Sequence, residues 1–157
     1  MTQITDWGPP MWKLLHSCAE HAGSSVVPLD EARAWVAVLK LTGGALPCAT
    51  CREHYKQWRQ ANPIEDFLTM QGEALRGGLR LWLWRLHEAV NGRREEVLRY
   101  PYEDLDKYGE ITTAEVNQTL RGLYQLLEKA MLYRQVNAGY VADWKRAVAL
   151  LRKLIAF

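Results

Sequence analysis

Leu46-Pro47-Cys48-Ala49-Thr50-Cys51-Arg52-Glu53-His54-Tyr55 carries two of the three cysteines of a 157-residue chain, with two residues between them. A C-x-x-C pair belongs to a thioredoxin-like βαβ fold, to half of a zinc site, or to a redox centre on another scaffold, so its flanks decide the fold. Downstream, Cys51, Tyr55 and Trp58 recur at helical spacing and share one face, with His54 at its border. That pattern ends before Asn62-Pro63, because a proline disfavours helix in the residue preceding it. A helix therefore begins at Pro47 and places the cysteines at its N-terminus. There the unpaired N–H groups and the dipole favour thiolate over thiol.

Outward from this stretch the pattern stays helical. Asp6 reads as an N-cap, with Pro9 and Pro10 in the first turn. Met11, Leu14, Leu15, Cys18, Ala19 and Ala22 then form an apolar stripe that Gly23-Ser24-Ser25 ends. Trp12 and His16 lie four apart on an adjacent face and point together. A second helix runs from about Asp30 to Leu41, with Ala32, Trp35, Val36 and Leu39 inward, and Thr42-Gly43-Gly44 stops it. The linker from Pro63 to Gly72 carries little pattern. The helix from about Glu73 to Asn91 has Leu75, Leu79, Leu83, Leu86 and Val90 as its inner stripe, while Trp84, His87 and Asn91 project from one side. Gly77-Gly78 weakens its start and permits close packing.

Beyond Pro101 a short helix precedes Thr112-x-x-Glu115, a capping-box signature. Val116, Leu120, Leu123, Leu127 and Met131 follow in register, and Gly139 separates a last helix with Val141, Trp144, Val148, Leu151 and Ile155. No segment alternates as a strand does. The sequence predicts an all-α fold, which removes the βαβ setting a thioredoxin-like site requires.

Composition narrows the function. Lysine plus arginine exceed aspartate plus glutamate by two (20 against 18), too small an excess to point to nucleic acid or an anionic membrane. No apolar run reaches the roughly 18 residues of a membrane span, and Met1–Asp6 has no signal-peptide shape, so an intracellular protein is expected. Three cysteines make no disulfide scaffold, which leaves the close pair to redox chemistry, to zinc, or to neither. Zinc needs about four ligands, and without a second C-x-x-C it would have to gather His16, His21, His54 and His87 from separate helices. A redox disulfide fits best on these grounds. Cys18, on a core stripe, reads as a buried inert thiol.

Seven tryptophans stand out. Trp12 with His16, and Trp84 with His87 and Asn91, are either parts of a tryptophan-rich core or the wall of a pocket. As a pocket, the indoles stack on a flat heteroaromatic ring while histidine and asparagine meet its polar edge. Arg93, Arg94 and Arg99 are a solvated cluster by default, and beside a nucleotide they would pair with a pyrophosphate.

Together these segments resemble the Erv/ALR family of FAD-dependent sulfhydryl oxidases over about residues 5 to 108. Trp7-Gly8-Pro9-Pro10-Met11-Trp12-Lys13-Leu14-Leu15-His16 is similar to the family's opening W-G-x-x-x-W-x-x-x-H segment. Leu46-Pro47-Cys48-Ala49-Thr50-Cys51 resembles its redox site. Leu81-Trp82-Leu83-Trp84-Arg85-Leu86-His87-Glu88-Ala89-Val90-Asn91 resembles the W-x-x-x-x-H-N-x-V-N helix that grips FAD, with Glu88 in place of an asparagine.

The resemblance implies a four- or five-helix bundle holding FAD over residues 1–109; residues 110–157 depart from the family core and read as a C-terminal two-helix extension packed on it. It implies Cys48 and Cys51 as the catalytic disulfide. By position it places Gly8, Trp12, His16, Cys51, His54, Trp84, His87, Val90, Asn91, Arg93 and Arg99 at the FAD site, and it implies no metal. A dithiol protein would attack Cys48, Cys51 would pass electrons to FAD, and molecular oxygen would leave as hydrogen peroxide. It further implies a homodimer and, as in compact members from large DNA viruses, a viral source and a place in the host cytoplasm or virion. Many members carry a second, shuttle cysteine pair. Cys18 is the only cysteine left here, so the expected partner is a small dithiol protein, such as a thioredoxin-like one, oxidised directly.

Overall fold

The computed structural model of the chain describes residues 1–93 and 100–157. They form α1 (Ile4–Glu20), α2 (Pro28–Ala45), α3 (Ala49–Ala61), a 3-10 helix (Glu65–Thr69), α4 (Gly72–Arg93), a second 3-10 helix (Tyr102–Glu110), α5 (Thr113–Leu132) and α6 (Ala138–Leu154). There is no strand among the described residues, and the fold is all-α as the periodicity predicts.

Two helices organise the rest. α1 packs against α4, α5 and the Tyr102–Glu110 segment, while α2 packs against α3, α6 and the Glu65–Thr69 segment. The α5–α6 hairpin thus lies across both α1 and α2. Its predicted stripes are buried, Val116, Leu120, Leu123 and Leu127 on α5 and Val141, Trp144, Val148 and Leu151 on α6, except that Met131 at the end of α5 is only half-buried. Thr112 caps α5 by accepting the Glu115 N–H at 3.1 Å, as the capping-box spacing predicts.

Several boundaries differ from the sequence expectation, each for a packing reason. α1 starts at Ile4, with Gln3 as its N-cap and Asp6 accepting the Gln3 N–H at 2.8 Å from inside the first turn. Pro9 and Pro10 therefore sit deeper in the helix. The carbonyls they deprive of a donor belong to Thr5 and Asp6, both exposed to water, so the loss is tolerated.

α2 does not stop at Thr42-Gly43-Gly44 but continues to Ala45. The Thr42 hydroxyl donates to the Val38 carbonyl (2.7 Å) and accepts the Trp144 indole N–H (3.0 Å). Gly43 lies under the Tyr55 ring and Gly44 under Tyr140. Tertiary packing against α3 and α6 outweighs the low helix propensity of two glycines, about 1 kcal/mol each. Val38 is fully buried, while Val36 is only half-buried. Gly139 likewise lies inside α6, whose N-cap is Asn137.

The stretch from Pro63 to Gly72 is more than a linker, because its 3-10 turn buries Ile64 and Phe67. Phe67 and Met70 close over Gly78, where a Cβ would meet both at 3.2 Å, so the close packing expected of Gly77-Gly78 is found at Gly78, while a Cβ at Gly77 would meet nothing within 4 Å.

Two buried acids fix the frame. The Glu31 carboxylate accepts the N–H groups of Gly23 (2.9 Å) and Ser25 (3.2 Å) and the Trp35 indole (3.2 Å), closing the α1–α2 turn. Glu20 accepts Arg80 Nε at 2.8 Å while Arg80 Nη2 reaches Asp106 at 2.6 Å. That chain of charges ties α1 and α4 to the segment that carries Tyr108.

Candidate active site

Cys48 is the N-cap residue of α3, in an extended conformation (φ −159°, ψ 115°), and its sulfur accepts the Cys51 N–H at 3.1 Å. The two cysteines are joined as a disulfide, with Cα atoms 5.1 Å apart. The sulfurs lie where the first-turn N–H groups and the helix dipole stabilise negative charge, so reduction of the bond yields thiolates at a favourable place. No acidic residue in the first turn of α3 competes for those donors. Both cysteines are half-buried.

The disulfide forms one wall of a cavity of about 320 Å³ enclosed by α1, the end of α2, α3 and α4. α1 supplies Ile4, Trp7, Gly8, Met11, Trp12 and Leu15. α2 and its C-terminal loop supply Thr42 and Leu46, α3 supplies His54, Tyr55 and Trp58 beside the cysteines, and α4 supplies Leu86, Ala89, Val90 and Arg93. Tyr55 is locked in place: its hydroxyl donates to the Leu39 carbonyl, and burial pushes its pKa above the usual phenol range.

The indole nitrogens reveal what the cavity asks for. Those of Trp35, Trp82, Trp84 and Trp144 donate to Glu31, the Asn62 carbonyl, the Tyr100 carbonyl and Thr42. Those of Trp7 and Trp58, both on the cavity wall, are buried with no acceptor among the described residues. A buried donor left unpaired costs about 1–3 kcal/mol, so two in one cavity mark a place where a ligand brings acceptors. At Gly8 a Cβ would meet only Ile4, at 3.5 Å, among the described residues, which leaves the bare backbone open to close approach by a ligand.

A second cluster flanks the cavity. His16 Nε2 lies 3.0 Å from His87 Nδ1. Trp12 stacks on His87 (centroids 4.0 Å, planes 9° apart) and Tyr108 stacks on His16 (4.7 Å, 23°). Burial lowers the pKa of His16 to about 3 and that of His87 to about 4, so both imidazoles are neutral and one donates to the other.

Of the positions expected at a cofactor site, Gly8, Trp12, Cys51, His54, Val90 and Arg93 line the cavity. His16 and His87 adjoin it through Trp12. Trp84 turns away to the Tyr100 carbonyl (2.7 Å), and the neighbouring Glu88 accepts the Tyr100 N–H (3.2 Å), giving that departure from the family pattern a structural use. Asn91 is half-buried and off the cavity wall. Arg94 and Arg99 lie outside the described residues. Trp7, Tyr55 and Trp58 are on the wall without having been assigned to it; Trp7 and Met11 at i and i+4 continue the face that Gly8 and Trp12 border. Cys18 is buried off the cavity wall, further along the same face of α1, its thiol pushed up to about 12 by burial. Among the described residues no three His, Cys, Asp or Glu side chains gather as a metal site, which leaves the zinc reading of Cys48 and Cys51 without its further ligands.

The Erv1/Alr family model matches residues 9–108. The chain belongs to the Erv1/Alr family. That family is one of sulfhydryl oxidases that generally bind FAD, and the match runs from Pro9 in α1 to Tyr108 in the second 3-10 helix, taking in the disulfide and all of the cavity lining but Ile4, Trp7 and Gly8. Residues 110–157, the α5–α6 hairpin, lie beyond it. No curated protein and no solved structure matched the chain. No helix among the described residues is long and apolar enough to cross a membrane.

Proposed function

We propose that this Erv1/Alr protein oxidises the dithiol of a protein substrate at Cys48–Cys51 and holds FAD in the adjoining cavity. The observation that carries this reading is the position of the disulfide on the wall of an apolar cavity whose two unpaired donors are indole N–H groups. A flat, acceptor-rich ring system suits that donor set, and Arg93 at the end of α4 suits a phosphate. Met11, Leu15 and Leu86 supply apolar surface.

In the proposed cycle a substrate thiolate attacks Cys48 Sγ, the Cys48–Cys51 bond breaks, and Cys51 leaves as a thiolate held at the N-terminus of α3. A second substrate thiolate attacks the substrate sulfur of the mixed disulfide. The substrate departs oxidised, Cys48 is released as a thiolate, and two electrons remain on the cysteine pair. Cys51 shares its helical face with Tyr55 and Trp58, which supports it as the inner sulfur. The cysteine pair gives up those two electrons and closes again as the disulfide; the chemistry FAD would supply in the cavity is to take them up and pass them to molecular oxygen as hydrogen peroxide. Trp7, Trp12 and Trp58 on the cavity wall would hold such a ring beside Cys51 and exclude water from it.

Cys18 is buried, so no second pair within this sequence relays electrons, and the substrate meets Cys48 directly. A small dithiol protein of thioredoxin-like size fits that requirement. The homodimer implied by the resemblance belongs to the same proposal and is checked by the mass in solution. The test of function is oxygen consumption. Protein supplied with FAD and a dithiol consumes oxygen and releases an equal amount of peroxide; protein that binds FAD but leaves oxygen untouched under dithiol would sink the reading.

A further inference from the structure

The C-terminal hairpin reaches the redox loop through one side chain. Arg52, the residue after Cys51, lies in the first turn of α3, where a cation is unfavourable to the helix dipole. Its guanidinium folds back, and a single nitrogen, Nη1, donates to the Leu46 carbonyl at 2.6 Å and to the Gln135 carbonyl at 2.9 Å. Leu46 O also accepts the Cys48 N–H at 2.9 Å, across a three-residue turn centred on Pro47. One carbonyl therefore couples Arg52 to the backbone of Cys48.

Gln135 belongs to the α5–α6 turn and is held on its other side. Its side-chain oxygen accepts the Thr2 N–H (3.0 Å) and the Thr2 hydroxyl (2.9 Å), and its amide nitrogen donates to the Thr2 carbonyl (2.9 Å). Thr2 itself is buried and directly precedes Gln3, the cap of α1. The turn so joins the start of the helix that carries Trp7 and Gly8 to the loop that carries Cys48. Residues more than 80 positions apart in sequence are involved, and the bonds lie in partly buried surroundings, where a charge-assisted hydrogen bond is stronger than one in water.

We propose that Arg52 and Gln135 are positioning residues of the redox site, and that the α5–α6 turn sets the reactivity of the Cys48–Cys51 disulfide by holding Cys48 at the cap of α3. In that position the Cys48 sulfur keeps the Cys51 N–H, which favours the reduced, thiolate form. Loss of the clamp lets the Leu46–Cys48 loop relax, and the disulfide becomes harder to reduce. The turnover consequence rests on the oxidase reading above, whereas the equilibrium consequence does not.

The test is therefore equilibration of the full-length protein with reduced and oxidised glutathione, read by alkylation of the released thiols. Arg52→Ala lowers the equilibrium constant for reduction about tenfold, and Gln135→Ala shifts it in the same direction. Arg52→Lys, which keeps the cation and one bond to Leu46 O, stays within about threefold of the wild type. Thr112→Ala, which removes the α5 cap at the far end of the hairpin, lowers the thermal midpoint and leaves the constant unchanged. Where Arg52→Ala fails to fold, Gln135→Ala decides. Constants for Arg52→Ala and Gln135→Ala within about twofold of the wild type would overturn the proposal, as would a shift in Thr112→Ala as large as theirs. Because glutathione needs neither flavin nor oxygen, this result stands whichever way oxygen consumption turns out.

Discussion

His16 Nε2 and His87 Nδ1 lie 3.0 Å apart, and no carboxylate contributes to the shift of either imidazole. Both folded pKa values, about 3 and about 4, fall below the ordinary 6.5. The unfolded chain therefore binds more protons than the folded one between those limits. Stability from the pair is fully present above pH 6.5 and is lost as pH falls toward 4, by up to about 1.4 kcal/mol per pH unit for each histidine. Thermal midpoints measured at intervals from pH 7.5 to 4.5 will fall below pH 6.5. The double variant His16→Gln/His87→Gln will flatten that fall; an equal slope in the variant would show that other groups carry it.

A Cβ at position 43 would lie 2.9 Å from Tyr55 Cδ1, and Tyr55 has no freedom to retreat because its hydroxyl is bonded to the Leu39 carbonyl. Gly43→Ala will destabilise the protein by about 1–3 kcal/mol despite alanine's better helix propensity. It will also weaken flavin binding, since Tyr55 lines the cavity. Denaturant unfolding in parallel with flavin titration reads both effects.

Gly43 also illustrates what a sequence conceals. A Thr-Gly-Gly run reads locally as a helix stop, and only the rings of Tyr55 and Tyr140 packed on it explain why α2 continues to Ala45. The long stripes were legible because burial of one helix face repeats every three to four residues, as Leu75, Leu79, Leu83 and Leu86 do. So was the redox pair, whose spacing and helix start are local features. The partners of Trp84 and Glu88 were not, because both bond the backbone of Tyr100, 16 and 12 residues away and outside the helical pattern. That the indole N–H groups of Trp7 and Trp58 find no acceptor among the described residues is a property no periodicity records. Nor does the motif around Cys48 disclose that Arg52 reaches Gln135, 83 residues away.

The Trp58 indole separates binding from stability. Trp58→Phe keeps the ring and deletes an unpaired buried donor, so the flavin-free protein will be as stable as the wild type or slightly more so. Flavin affinity will fall about tenfold, the equivalent of one hydrogen bond of about 1.4 kcal/mol. Isothermal titration with FAD checks it, and unchanged affinity would remove Trp58 from the cofactor's partners.

Cys18 is buried and its thiol is raised to about 12, so it is protonated and inaccessible at neutral pH. After reduction of the native protein, a thiol reagent will count two reactive sulfurs and find the third only in denaturant. Cys18→Ala will leave dithiol-dependent oxygen consumption within about twofold of the wild type, since a residue away from the redox pair acts only through modest repacking. Loss of turnover in that variant would assign Cys18 a role in electron transfer.

The central claim is that electrons from a dithiol reach FAD only through Cys48 and Cys51. Its most direct test is an anaerobic titration of the flavin-loaded protein with a dithiol, followed by flavin absorbance. One equivalent of dithiol bleaches the flavin of the wild type, while the flavin of Cys51→Ser stays oxidised. Equal bleaching in both proteins, or a wild type that retains no flavin, would contradict the account.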